Sequence, residues 1–118
     1  MDDEKIARVA VEGFVSDYKP RYYHVKSDIS DCTSDLIEMP MTPTMFRDLR
    51  FFYPDIGDTG WELLRKLNGI KGLHRVTLRP NCLTVKKNPL FSWDEIQNDI
   101  LFALESVLEK PVELKLAE

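Results

Sequence analysis

The stretch Leu73-His-Arg-Val-Thr-Leu-Arg-Pro-Asn-Cys-Leu-Thr-Val-Lys-Lys87 consists of two β-leaning runs separated by Pro80 and Asn81. Proline presets φ for the first position of a turn, and asparagine tolerates the left-handed geometry that the second position can require. A two-residue turn places residues of the two runs directly opposite one another, so that paired residues share a sheet face. The expected pairs are Arg79 with Cys82, Leu78 with Leu83, Thr77 with Thr84, Val76 with Val85, and Arg75 with Lys86.

These pairs give the predicted hairpin one apolar face and one polar face. A one-residue slip would turn Leu78, Leu83 and the two valines into water, so the sequence specifies the register well. Downstream, residues 92–109 predict a helix in which Ser92 is the N-cap and Glu95 completes a capping box. Apolar residues recur along this helix at three- and four-residue spacing, which predicts one broad stripe that packs on the hairpin: Trp93, Ile96, Ile100, Ala103, Leu104 and Val107.

The segments around this unit predict further short strands and helices. Strands are expected over residues 6–15, 21–27, 36–39 and 112–116, although a short helix over Lys5–Val11 fits the first segment almost as well. Thr42-Pro43 predicts the start of a helix that ends at Tyr53-Pro54, followed by a loop over residues 55–58. Thr59 and Glu62 predict a capping box that opens a helix over Gly60–Leu67, and Asn68-Gly69 predicts a left-handed stop.

Hairpins dominate over βαβ crossovers in this order of elements. We therefore predict an α+β fold, with a small antiparallel or mixed β-sheet and two or three helices packed on one face. With 118 residues, 43% of them hydrophobic and 31% charged, residues 1–118 are expected to form one domain.

Charge and cysteine content disfavour several classes of protein. The formal net charge of −4 argues against a domain that grips nucleic acid, so an RNA-binding role is disfavoured, and no run of residues is long and apolar enough for a membrane span. Two cysteines do not describe a disulfide framework. The acidic N-terminus is unlike a targeting segment. A cytoplasmic location is the default, with an organelle matrix after removal of a presequence as the alternative.

Few residues suggest chemistry. Cys82 lies opposite Arg79, whose charge could lower the pKa of a nucleophilic thiol, and His74 is the other candidate partner. A small hydrophobic role for Cys82 and a structural role for each histidine are the more common readings. Cys32 lies in a polar turn among aspartates, and no zinc motif, Ca²⁺-binding loop or nucleotide-binding loop is present. No catalytic residue, cofactor or metal ligand is therefore predicted.

The polar hairpin face is the better candidate for function. Arg75 and Lys86 repel each other when directly opposed, so they require a carboxylate from a neighbouring strand, with Glu38 and Glu113 as candidates, or from a partner protein. Phe102 falls off the apolar stripe of its helix and could lie at an interface or beneath the short helix that precedes it. The residues predicted to contact a protein partner are Arg75, Thr77, Arg79, Thr84, Lys86 and Phe102.

Three parts of the sequence resemble the N-terminal domain of the NifU-like (Nfu) iron–sulfur scaffold proteins. They are the run from Leu67 to Lys87, the segment Ser92-Trp93-Asp-Glu-Ile, and the upstream Pro40-Met-Thr-Pro-Thr-Met-Phe-Arg47. The resemblance covers residues 20–110. The chain departs from the family pattern in lacking the Asn-Pro-Asn opening and the Cys-x-x-Cys module, in carrying extra residues 48–59, and in having Cys82 where an aromatic residue is usual.

The resemblance implies a non-enzymatic protein-interaction domain that works beside iron–sulfur cluster assembly or delivery without binding a cluster itself. Its expected partners are other proteins, such as iron–sulfur assembly factors, and it is expected to be a monomer or a weak dimer. The alternative is a small thiol- or metal-dependent enzyme or sensor that uses Cys82 with His74 or Arg79.

Overall fold

The predicted hairpin lies inside a six-stranded mixed sheet in the computed structural model, which describes residues 5–13, 19–34 and 36–116. The strands are β1 (Ala7–Glu12), β2 (Arg21–Val25), β3 (Ile37–Glu38), β4 (Leu73–Arg79), β5 (Cys82–Lys87) and β6 (Val112–Leu116). The helices are α1 (Pro43–Phe52), α2 (Asp58–Asn68) and α3 (Trp93–Leu108), with a 3₁₀ turn over Pro54–Ile56. The strand order is β3-β4-β5-β2-β1-β6, in which β1 and β6 run parallel and every other pair is antiparallel.

The register of the hairpin is the predicted one. All five expected pairs, from Arg79–Cys82 at the turn to Arg75–Lys86, are present, and the pairing becomes irregular between Leu73 and Arg75. Backbone N–H groups of Val25 and Ile29 donate to the carbonyls of Asn81 and Pro80 at 2.9 and 2.8 Å, so the turn is hydrogen-bonded to the end of β2 and to the segment after it.

One face of the sheet is the hydrophobic core. Alternate residues of five strands are buried there, as the period of two requires: Val9, Val11, Tyr23, Val25, Ile37, Val76, Leu78, Leu83 and Val85. The helices pack on this face, as predicted. Trp93, Ile96, Ile100, Ala103 and Leu104 of α3 are buried, whereas Val107 of the predicted stripe is half-buried.

The caps of α3 and α1 confirm the sequence signals. Ser92 and Glu95 form both hydrogen bonds of the capping box, and Glu109 ends α3 in the left-handed conformation. Thr42 caps α1 by accepting a hydrogen bond from the N–H of Met45 at 3.2 Å. The fold class and these boundaries therefore follow from local pattern.

The strand predicted over residues 6–15 is confirmed at residues 7–12, and the helix alternative is excluded because β1 pairs with strands on both sides (residues 14–15 lie outside the described part). Three other local predictions are wrong. The loop predicted over residues 55–58 includes the end of a 3₁₀ turn. α2 begins at Asp58 and lacks the expected Thr59–Glu62 capping box, because the carbonyl of Gly57, a residue at φ 91°, accepts the N–H of Trp61 and starts the helix two residues earlier. Gly69 is right-handed, and the positive φ falls at Gly72 instead.

Candidate protein-interaction surface

No helix of the described part covers the second face of the sheet, which we call the open face. Its side chains alternate with those of the core: Arg8, Ala10, Glu12, Tyr22, His24, Glu38, Arg75, Thr77, Arg79, Cys82, Thr84, Lys86, Glu113 and Lys115. Lysine and arginine outnumber glutamate among them, although the whole chain carries a net charge of −4. Five of the six residues predicted to contact a partner lie together here.

Arg75 and Lys86 face each other on this surface, and the structure separates the two carboxylates that were expected to balance them. Glu38 is in register with Arg75 on β3, but Glu113 lies on β6 at the opposite edge of the sheet and cannot reach either cation. Within the described residues, neither Arg75 nor Lys86 forms an ion pair with any carboxylate. Compensation of these two positive charges therefore has to come from solvent or from a partner.

The other half of the open face is also basic. Arg8, Lys26, Asn81, Lys115 and the His24 ring line a shallow cavity of ≈ 520 Å³. Pairing places Arg8 opposite Glu113 and Lys115 opposite Ala10 on the neighbouring strands. Lysine and arginine therefore outnumber the carboxylates on the open face from β4 to β6, and this excess of positive charge would favour an acidic ligand.

Cys82 has a histidine neighbour that the sequence did not reveal. His24 of β2 is its register partner, and His24 Nε2 contacts the carboxylate of Glu12 on β1. Burial raises the pKa of the Cys82 thiol, and the Glu12 charge adds to that rise, while Thr84 and Arg79 act in the opposite direction. A buried thiol with a raised pKa holds little thiolate near neutral pH, so this arrangement does not activate a nucleophile.

His74, the partner proposed from sequence, is far from Cys82. It lies five residues along β4 from the position opposite Cys82, about 17 Å away at the rise of a strand, and its carbonyl accepts the N–H of Met39. Cys32 and Cys82 are both free thiols. Within the described ranges, no group of three or more His, Cys, Asp or Glu side chains is arranged to hold a metal ion.

A polar cluster on the core side fixes the junction of β2 and α3. Arg21, only 8% exposed, stacks 4.4 Å from the ring centre of Trp93 and donates to Oε1 of Gln97 at 3.1 Å. The hydroxyl of buried Tyr23 donates to the same oxygen. Desolvation raises the pKa of Tyr23 to about 12, although Arg21 acts to lower it. Arg21 and Tyr23 are buried and Gln97 is half-buried. The arginine in an otherwise β-branched and aromatic strand was the one sequence signal of this cluster.

Phe102 is not part of the open face. It is 73% exposed on α3, in the helix layer, beside a groove formed with Lys66, Gly69 and Ile70 of α2 and its end. Of the two alternatives for Phe102, burial beneath the short helix is excluded by this exposure. Among the described residues, the other apolar side chains that are more than half exposed lie on α1 and in loops: Phe51, Phe52, Leu36 and Leu90.

No protein-family model matches the chain, and a search of the curated proteins finds no match. Within residues 5–13, 19–34 and 36–116, no helix has the length and apolar character needed to cross a membrane.

Proposed function

We propose that this chain is a non-enzymatic protein-interaction domain that binds an acidic surface of a partner protein through the open face of its sheet. The observation that carries the proposal is the Arg75–Lys86 pair, directly opposed on the open face and without a carboxylate partner among the described residues. Like charges directly opposite on a sheet destabilise it, and a bound carboxylate would remove the repulsion. Arg8, Arg79 and Lys115 extend the same charge across the surface.

The resemblance to the NifU-like N-terminal domain supports a more specific version of the proposal. In that version the partner belongs to iron–sulfur cluster assembly or delivery, and the present chain contacts it without binding a cluster. The support comes from the sequence of residues 67–87 and 92–96, whereas the open face supports the binding of a protein in general.

An anaerobic pull-down from the protein's own cell extract tests both versions. The informative variant is Arg75→Glu/Lys86→Glu, which reverses the sign of the pair. Because residue 75 is also in register with Glu38, the thermal unfolding midpoint of the variant is measured alongside, so that loss of capture is separated from loss of folding. Lys5→Glu/Lys71→Glu changes the net charge equally at two exposed residues outside the open face and is the matched control.

We expect the partner to be captured by the wild type and the control and lost by the open-face variant. Equal capture by all three proteins would refute binding through this face. If the captured proteins include no iron–sulfur assembly factor or cluster enzyme, the pathway assignment is wrong and the interaction role stands.

One observation favours a second candidate function, a thiol-dependent enzyme or sensor: Cys82, His24 and Glu12 lie on three neighbouring strands. Alkylation of the Cys32→Ser variant with iodoacetamide across a range of pH measures the apparent pKa of Cys82. We expect a value above the ordinary thiol value of about 8.5, because the side chain is buried. A value well below it would support the enzyme or sensor instead.

A further inference from the structure

A second charged surface lies in the helix layer, in the cleft between α1 and α2. Arg47 and Arg50 of α1 and Arg65 of α2 line this cleft together with Met41, Phe46 and Asn68, and its volume is ≈ 520 Å³. We call it the arginine cleft. No carboxylate is among the side chains that line it, and it shares no residue with the open face.

Two of the three guanidinium groups are held over aromatic rings. Arg50 lies 5.6 Å from the ring centre of Trp61, and Arg65 lies 5.7 Å from that of Phe46. The two rings are neighbours, with centroids 5.4 Å apart. The order of these contacts across α1 and α2 is therefore Arg50, Trp61, Phe46 and Arg65. Stacking restricts the guanidinium groups before any ligand arrives, which lowers the entropy cost of binding an anion.

The positive charge of the arginine cleft is only partly balanced. Glu62 lies 3.6 Å from Arg65 on the exposed side of α2 and also 3.8 Å from Lys66. Arg47 and Arg50 form no ion pair with a carboxylate of the described residues. Guanidinium groups match carboxylates through paired hydrogen bonds, so a ligand with several carboxylates fits this set of donors.

Two exposed phenylalanines lie at the end of α1, next to the arginines in sequence. Phe51 follows Arg47 by one helical turn and is 80% exposed, and its ring meets that of Phe52 edge-on with centroids 5.4 Å apart. α1 holds no fully buried residue, so these two phenyl rings contribute little to the core. Exposed aromatic pairs beside charged residues are typical of protein-binding surfaces.

We propose that the arginine cleft binds an acidic peptide segment of a partner protein that also carries a large apolar side chain. Carboxylates of the segment pair with Arg47, Arg50 and Arg65, and the apolar side chain packs on Phe51 and Phe52. Charge complementarity selects the acidic residues. The phenyl pair distinguishes a peptide from a free anion, which has nothing to place on those rings. This site is separate from the open face and does not depend on its role.

Isothermal titration with synthetic peptides tests the site on the full chain. The first probe is a short peptide of glutamates around a central phenylalanine, the second replaces every glutamate by glutamine, and the third replaces the phenylalanine by serine. Inorganic phosphate is the fourth probe. Arg47→Gln/Arg50→Gln removes two cations while keeping good helix formers. Lys5→Gln/Lys71→Gln removes two exposed cations that lie outside both the arginine cleft and the open face, and it is the matched control.

We expect saturable binding of the first peptide, weaker binding in high salt, and roughly tenfold loss of affinity in Arg47→Gln/Arg50→Gln, because charge-assisted hydrogen bonds are lost. The Lys5→Gln/Lys71→Gln control is expected to bind as the wild type does. Phe51→Ser is expected to weaken the first peptide to the affinity of the serine peptide. Absence of binding, equal binding by the double variant, or phosphate binding as tightly as the first peptide would each overturn the proposal.

Discussion

Lys86→Glu is expected to stabilise the fold, because it converts a repulsive cross-strand pair into an attractive one. Arg75 and residue 86 are directly opposite on the open face. A cross-strand charge pair is worth about 0.2–1 kcal/mol in either direction, so reversing one sign gains roughly 1 kcal/mol once solvent screening of these exposed side chains is considered. In a domain of this size such a gain raises the midpoint of thermal unfolding by about 4 °C.

Urea denaturation in low and high salt, followed by circular dichroism, measures this gain. It should shrink in high salt, because salt screens exposed charges. Repeating the substitution in an Arg75→Gln background completes a double-mutant cycle, in which most of the gain should disappear. A Lys86→Glu protein less stable than the wild type, or a gain that persists without the arginine, would show that the two side chains do not interact as their register implies.

Three further predictions concern single residues. Asn81→Ala should lower the free energy of unfolding by about 1 kcal/mol in urea denaturation, since the Asn81 amide donates twice, at 3.0 Å each, to the segment after β2; unchanged stability would mean that these bonds do not hold the turn. The native state keeps the Tyr23 proton up to about pH 12, whereas an unfolded tyrosine releases it near pH ~10, so stability should fall by about 3 kcal/mol over this interval. Urea denaturation across that pH range should show a smaller fall in Tyr23→Phe than in the wild type or in Tyr22→Phe, and equal falls in all three would contradict the assignment. Gly72→Ala should lower the free energy of unfolding by about 2 kcal/mol or more, because φ is 99° and a Cβ atom would lie 2.8 Å from Phe91 Cγ. A variant that unfolds thermally at the wild-type midpoint would exclude this strain.

Local chemistry carried most of the fold prediction. The two-residue turn at Pro80-Asn81 and the alternation around it determine which hairpin residues are buried, and the Ser92–Glu95 capping box determines where α3 begins. Both signals act over a few residues and could be identified without tertiary information. The start of α2 shows the limit of such signals, since a good capping pair at Thr59 and Glu62 is overridden by the backbone of Gly57.

The composition of the open face depends on which strands pair across long distances in the sequence. No local sequence pattern indicates that pairing. The antiparallel pairing of β2 with β5 brings His24 to Cys82, and the parallel pairing of β1 with β6 carries Glu113 away from Arg75. Strand order follows from the burial of all six strands together, because short strands carry little preference for one neighbour over another. The hairpin half of the surface was therefore predictable and the β1–β6 half was not.

The hairpin also shows that its core does not require the charge on its open face. Because side chains alternate along a strand, the register that buries Leu78 against Leu83 also places Arg75 opposite Lys86. The core requires the first pair, whereas nothing in the core requires positive charge at residue 86, where an uncharged β-former would remove the repulsion without moving a buried atom. The repulsion between these two charges destabilises the free protein. An acidic ligand would remove the repulsion, so the repulsion favours the bound state. For that reason the open face, and not the buried cluster around Tyr23, is where substitutions should alter binding while leaving the fold intact.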